Sequence, residues 1–333
     1  MPIFVKKDKC MNLRDLLRIT SRTFAIGIER LPRVLCDATT IAYLLLRVSD
    51  YLEDNEEMEA DKKVELLNLW VNILREEEAV ETLTIQLTEA NTENPDAIVA
   101  QHSKEILQHL RSLPYEVQEI IVHHVINSTQ GMARWTQHGS HLTDEKDLDD
   151  YMFEVAGRVG YLVTQLFAWY SIAIRIKEKE IMPLAREFGL GLQTVNVIRG
   201  LREDFNRGWV YVPQKFLSEM GLTKEQLFDP QHSEQALKVL DMMTDKAERH
   251  LRNALQYVKS LPWWLHGIRL GCIFPLMFAI RTLAVCRHNT QVFESEAKMT
   301  RNEVKKIVMD STLWGWSNLW LDRYYQELNV VGE

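Results

Sequence analysis

Apolar residues return at spacings of three and four through residues 61–83 (DKKVELLNLWVNILREEEAVETL), with charges between them. That is the pattern of a helix burying one face. The same period runs through 102–113, 114–135 and 234–261. Residues 142–152 (LTDEKDLDDYM) read as a helix start, with acidic residues in the first turn. No segment alternates apolar and polar residues in the manner of a strand. Residues 88–97 (TEANTENPDA) read as a polar loop. Residues 207–228 lose helical periodicity at Gly208 and Pro213 and read as an extended connector. The pattern predicts one all-α domain of roughly ten or more helices spanning 1–333.

Composition agrees. Only 14 Gly and 9 Pro occur in 333 residues, and 46% of the chain is hydrophobic, enough for a sizeable core. A net charge of −8 with no basic block excludes a phosphate-tracking nucleic-acid surface. Any anion must be bound by locally placed Arg or Lys. Cys10, Cys36, Cys272 and Cys286 form no CxxC pair and read as free thiols in a reducing compartment. The N-terminus lacks the apolar run of a secretory signal. The apolar stretch 270–280 is too short to span a bilayer. The expectation is a cytoplasmic protein that leaves room for peripheral contact with a membrane.

Candidate chemistry concentrates in two acidic clusters. In 47–55 (RVSDYLEDN), Asp50, Glu53 and Asp54 share one helix face with Arg47 one turn earlier. Clustered carboxylates repel unless a cation neutralises them. Mg²⁺ takes oxygen ligands and commonly bridges carboxylates to substrate phosphates, so this face suits a metal-bound diphosphate. A solvated helix end is the competing reading of that spacing. The second cluster lies in 193–213. Gln193, Asn196 and Gly200 fall on one stripe that continues to Glu203 and Asp204, with Arg199 nearby. Two acidic helices, each with an Arg, point to a shared cavity with metals between facing helices.

These residues resemble the squalene/phytoene synthase family, and within it the squalene synthases. The likeness runs from about residue 11 to about 312. It is carried by SRTFAIGIERLP (21–32), YLLLRVSDYLED (43–54), YMFEVAGRVG (151–160), QTVNVIRGLRED (193–204), CIFPLMFAIRTLAVC (272–286) and QVFESEAKMTRNEV (291–304). The resemblance implies an all-α isoprenoid-synthase bundle with a central cavity. It implies a prenyl transferase that ionises farnesyl diphosphate with Mg²⁺ and couples it head to head with a second prenyl diphosphate. A cyclopropyl diphosphate intermediate follows, which squalene synthases reduce with NADPH. By motif, Asp50, Glu53 and Asp54 would hold Mg²⁺, joined by Glu203 and Asp204. Arg22, Arg47, Arg199 and Arg207 would contact diphosphate, with Tyr43 beside them. Gln193 and Asn196 would serve the second site.

Four positions depart from the family pattern. Gly200 stands where the second acidic motif begins with Asp. Trp209 replaces a basic residue four before the Pro. Glu154 replaces a Tyr before Val-Ala-Gly, leaving Tyr151 to supply a phenol. Leu276 replaces a Gln. The first two each weaken a metal or diphosphate site, so the NADPH step is the expectation they weaken most. A repurposed member that cyclises one prenyl diphosphate, or prenylates an aromatic acceptor, is the alternative. A non-catalytic prenyl-lipid binder is a third. His138 and His141 read as solvated loop residues, and His123 and His124 as partly buried. Trp263 and Trp264 read as core packing at a helix junction rather than a docking surface. The aromatic-rich 311–325 could cap the cavity, line a lipid entry or form a contact.

Overall fold

The computed structural model describes residues 12–87, 94–139 and 141–330, and among these no strand occurs. The helix Glu178–Asn206 runs along the middle of the bundle. It packs against Ser233–Ser260, Arg158–Tyr170 and His266–Cys286. Arg33–Asp54 lies against Tyr115–His138 on the other side of the cavity. The core is a continuous set of aliphatic and aromatic side chains from all of these helices, which is what the three-and-four spacing of the sequence requires.

Most predicted segments form helices, with three changes, one being a short helix, Gln214–Glu219, inside the expected extended connector 207–228. Residues 61–83 divide into Ala60–Leu74 and Val80–Gln86 around Glu76, whose φ is 62°. A non-glycine residue in the left-handed region stops the first helix. The polar stretch 88–97 is not loop throughout. Asn94 caps Pro95–Gln101, its Oδ1 accepting from Asp96 N, and Pro95 suits a first helical position. Residues 88–93 lie outside the described residues, as does Cys10. The expected helix start at 142–152 forms with Asp144 as its cap. Its helix continues through a wide π turn, Phe153–Gly157, into Arg158–Tyr170.

Glycine sets one close approach. A Cβ on Gly160 would lie 2.1 Å from Ala185 O, and one on Gly189 would lie 2.3 Å from Ala156 O. The backbones of 158–170 and 178–206 therefore touch where a side chain has no room.

The apolar stretch 270–280 belongs to a 21-residue helix, His266–Cys286. That helix is long and apolar enough to cross a membrane by length and composition, but 83% of its apolar window is buried inside the bundle. Cys36, Cys272 and Cys286 are buried free thiols. His124 is buried against Gln165 while His123 is exposed. Trp263 and Trp264 are not core residues. They are 62% and 60% exposed, their rings 5.9 Å apart. Leu313, Trp314, Trp316 and Leu319 are also exposed. Buried Arg269 joins the two turns, donating to Leu261 O at 2.7 Å and Gly315 O at 3.1 Å. The turn 261–265 is too short to fold its rings inward once Leu261 has entered the core.

Candidate active site

The helical period of Arg33–Asp54 places Tyr43, Leu46, Arg47 and Asp50 on one wall of a cavity of about 350 Å³. Arg47 NH1 donates to Asp50 Oδ2 at 2.8 Å. Its Nε donates to Asp96 Oδ1 at 3.0 Å, and NH2 donates to the other oxygen of Asp96. Burial alone would favour loss of the Arg47 proton. Asp50 and Asp96 outweigh it, so the guanidinium stays charged. Burial pushes the Asp50 carboxyl up to about 6, helped by Asp54 and Asp96 and opposed by Arg47.

Beyond Asp50 the same helix ends in a second, polar pocket of about 310 Å³. Glu53 and Asp54 face Asp204, Arg207 and Trp209 across it, with Lys63 and Tyr211 on its wall. Burial, then repulsion from Asp54 and Asp50, raises Glu53. Burial also raises Asp54, with Arg207, Arg47 and Lys63 pulling it back. Asp204 is pushed up to about 7 by burial, against the pull of Arg207. Arg207 Nε lies 3.2 Å from Glu56. Glu203 is exposed and lines neither cavity. A Cβ on Gly200 would meet only Asp204 Oδ2, at 3.7 Å. No protein neighbour therefore requires glycine there.

Tyr151 is buried, stacked on Tyr211 with ring centroids 4.9 Å apart, and its hydroxyl donates to that of Tyr211 at 3.1 Å. Trp209 also stacks on Tyr211, at 5.7 Å. Burial, with Glu53 close by, raises both phenols well above their ordinary value. Both therefore stay protonated and can donate. Glu154 turns away from the cavity. It is buried, and accepts from Arg158 and, at 3.3 Å, from Arg134. Gly131 makes room for its carboxylate. The next two residues, Val155 and Ala156, line the cavity.

The cavity wall is mostly apolar: Leu46, Val159, Phe167, Phe188, Leu192 and Tyr257. Gln193 and Asn196 are polar positions on its far wall, 3.5 Å apart. Arg22 is exposed next to Ser21 and close to Phe24, which do line it. Arg199 lines neither cavity and lies 2.8 Å from Glu296. Leu276 is fully buried in the core, away from the cavity. His138 is exposed, with its ring edge-on to Trp135 at 5.0 Å and a long contact to Gly139 O. Asp96, Lys63 and Tyr211 were not singled out by sequence. Asp96 fell in an expected loop, and Tyr211 in a connector with no period to follow.

Among the described residues, no three His, Cys, Asp or Glu side chains converge tightly enough to enclose a metal ion unaided. The donor set nonetheless fits Mg²⁺. Glu53, Asp54 and Asp204 are hard oxygen donors crowded into one pocket, each raised by burial. A hydrated Mg²⁺ needs one or two carboxylates and completes its shell with water and substrate phosphate.

The class this defines is an all-α isoprenoid-synthase bundle, with an apolar cavity ending in an arginine–carboxylate cluster. The chain belongs to the squalene/phytoene synthase family, whose model matches residues 17–303. It is 29% identical over 305 residues to the squalene synthase of Schizosaccharomyces pombe, covering 89% of this chain and 64% of that protein. It is 28% identical over 296 residues to the Homo sapiens squalene synthase, covering 89% and 68%. The chain thus spans about two thirds of the length of these relatives. A solved structure of TcSQS with the ligand BPH1237 superposes with a TM-score of 0.81 at 24% identity, over 95% of this chain and 90% of that one. A dehydrosqualene synthase structure gives 0.59 at 14%, over 95% of each chain. These structures establish the fold.

Proposed function

We propose that this chain is a Mg²⁺-dependent prenyl transferase that ionises farnesyl diphosphate and couples it head to head with a second prenyl diphosphate. The observation that carries this reading is the junction of two unlike cavities. An apolar one of about 350 Å³ ends at Arg47 and Asp50, beside a polar one holding Glu53, Asp54 and Asp204. A prenyl chain suits the first and a diphosphate the boundary. The squalene synthases it resembles supply the reaction class.

In this reading Arg47, fixed by Asp50 and Asp96, meets the negative charge that develops as the C1–O bond breaks and diphosphate leaves with the electron pair. Mg²⁺ held by Asp50, Glu53, Asp54 and Asp204 would supply Lewis-acid neutralisation of that leaving group. Phe24, Tyr43, Phe167 and Phe188 surround the chain with aromatic faces and keep water from the allylic cation. The π electrons of the second prenyl double bond then bond to C1, and the cation left on that chain closes to the cyclopropane by losing a proton to the released diphosphate. Gln193 and Asn196, on the opposite wall, orient the second reactant and would contact NADPH, which when bound would supply hydride. Gly200 and exposed Glu203 leave the second helix with fewer donors, which favours the repurposed alternative of one ionised diphosphate and a different acceptor. We also propose peripheral contact with a lipid surface through Trp263, Trp264, Trp314 and Trp316, since exposed tryptophans favour the bilayer interface.

The test is extraction of lipids after incubation with Mg²⁺ and farnesyl diphosphate, with and without NADPH. A thirty-carbon product supports head-to-head coupling, and fifteen-carbon products alone support the alternative. Asp50→Asn should cut diphosphate release at least a hundredfold. Unchanged release would remove Asp50 from the mechanism.

A further inference from the structure

The connector that follows the helix Glu178–Asn206 is extended where it passes the polar pocket. Gly208, with φ 82°, turns the chain, and Trp209 N donates to Asp204 O at 2.9 Å. Beyond that turn Val210 and Val212 are buried, while Trp209 and Tyr211 line the pocket. An extended chain sends alternate side chains to opposite faces, so burying the two valines delivers Tyr211 to the pocket. Two backbone bonds then pin the connector to the segment before the helix Glu145–Met152. Gln214 N donates to Leu142 O at 2.8 Å, and Lys215 N donates to Thr143 O at 3.0 Å. They hold Tyr211 against Tyr151, which lines neither cavity. The Tyr151 hydroxyl is spent on the Tyr211 oxygen. Tyr211 therefore accepts, and its own hydrogen is left over. Among the described residues no side chain accepts it, although Glu53, Asp54 and Asp204 line the same pocket. The result is a phenolic donor in the polar pocket, held from behind by a second phenol.

We propose that Tyr211 is a further catalytic residue of the ionising step: its hydroxyl donates to an oxygen of the departing diphosphate, and Tyr151 is a positioning residue that acts through it. The inference rests on the prenyl-diphosphate reading above. As the C1–O bond breaks, the electron pair stays with the diphosphate and negative charge grows on its oxygens. Lys63 and Arg207 meet that charge from the same pocket as cations, and Tyr211 meets it as a neutral donor. A hydrogen bond to an ionised oxygen is about twice as strong as one between neutral groups. A donor already in place costs no reorganisation as the charge appears. Stacking with Tyr151 and Trp209 fixes the ring. Accepting from Tyr151 polarises the Tyr211 O–H and strengthens its own donation. The proton stays on Tyr211 throughout, so the step remains a heterolysis that consumes no acid.

The experiment is steady-state diphosphate release from farnesyl diphosphate with Mg²⁺ by the wild-type chain, Tyr211→Phe, Tyr151→Phe and the double variant. Phenylalanine keeps each ring and its stack and removes only the oxygen. Tyr211→Phe should lower kcat about thirtyfold and leave KM within about twofold, because the lost contact strengthens as the charge develops. Tyr151→Phe should lower kcat about threefold. The double variant should be no slower than Tyr211→Phe, because Tyr151 acts through a hydroxyl that is already gone. If Tyr211→Phe fails to fold, having left the buried Tyr151 hydroxyl without an acceptor, the double variant removes both groups. Its kcat should then be about tenfold below that of Tyr151→Phe. A Tyr211→Phe kcat within about twofold of wild type would overturn the catalytic role. An undiminished Tyr151 effect in the Tyr211→Phe background would overturn the relay. A wild type that releases no diphosphate refutes the prenyl-diphosphate reading instead. Titration of inorganic pyrophosphate with Mg²⁺ then reads the Tyr211 contact by itself: about tenfold weaker in Tyr211→Phe if the contact is made, and equal to wild type if it is not.

Discussion

Replacing Asp204 by Asn should stabilise the metal-free protein, and the gain should grow with pH. Burial lifts the Asp204 carboxyl from its ordinary 3.8 to about 7, while Arg207 holds it back. The folded state therefore keeps a proton that the unfolded state has already lost. Below pH 4 both states are protonated and the residue costs nothing. Between pH 4 and 7 the unfolded state ionises first, so folding stability falls as pH rises. A shift of about three units corresponds to roughly 4 kcal/mol above pH 7, at about 1.36 kcal/mol per unit. Asp204 keeps some solvent contact on the pocket wall, so about half of that, ~2 kcal/mol, is the expected gain. A chain of 333 residues unfolds with an entropy near 0.7 kcal/mol/K, so the melting point should rise by about 3 °C at pH 8. Melting curves of both proteins at pH 5, 6, 7 and 8 without divalent cation would measure it. Added Mg²⁺ and pyrophosphate should raise the wild type more than the variant and close the gap. A gap independent of pH, or an Asn variant less stable at pH 8, would refute the account.

Two further outcomes follow from packing and surface. Gly160→Ala must push the backbone at Ala185 away from a contact of 2.1 Å, so it should cost about 1–3 kcal/mol, read as a lower melting temperature. Trp263→Ala with Trp264→Ala should leave the melting point within about 1 °C, because both rings are exposed. The same double variant should lose most of its co-sedimentation with anionic phospholipid vesicles, and unchanged sedimentation would exclude this surface from membrane contact.

Period and spacing made the helices and the first acidic face readable. Arg47 and Asp50 are three residues apart, and a helix turns that directly into a 2.8 Å ion pair. The partners that complete the site are distant in sequence. Asp96 reaches Arg47 across 49 positions and Tyr211 reaches Tyr151 across 60. No local pattern encodes such meetings, because they depend on how helices cross. The exposure of Trp263 and Trp264 was hidden for a related reason. An aromatic pair beside Leu261 looks like core until the neighbouring helices have taken the inner positions. The resemblance to a family identified Gly200 as a departure, but only the open space around it shows that nothing in the fold demanded the change.

The wide turn at Phe153–Gly157 has a consequence for how this enzyme can change. A π turn inserts one residue into a continuous helix and so resets its angular phase by about 100°. On one side of the reset Tyr151 points at Tyr211. Within the turn and beyond it, Val155, Ala156 and Val159 line the apolar cavity, and Glu154, between Tyr151 and these, is turned into the protein. The support behind Tyr211 of the polar pocket and the wall of the apolar cavity are thus separate surfaces of a single rod, geared to each other by that one residue. Deleting it would leave a smooth helix with every other side chain intact, and would swing Tyr151 out of mesh with the cavity wall. Substitutions can tune either surface alone, but a change of length here moves both.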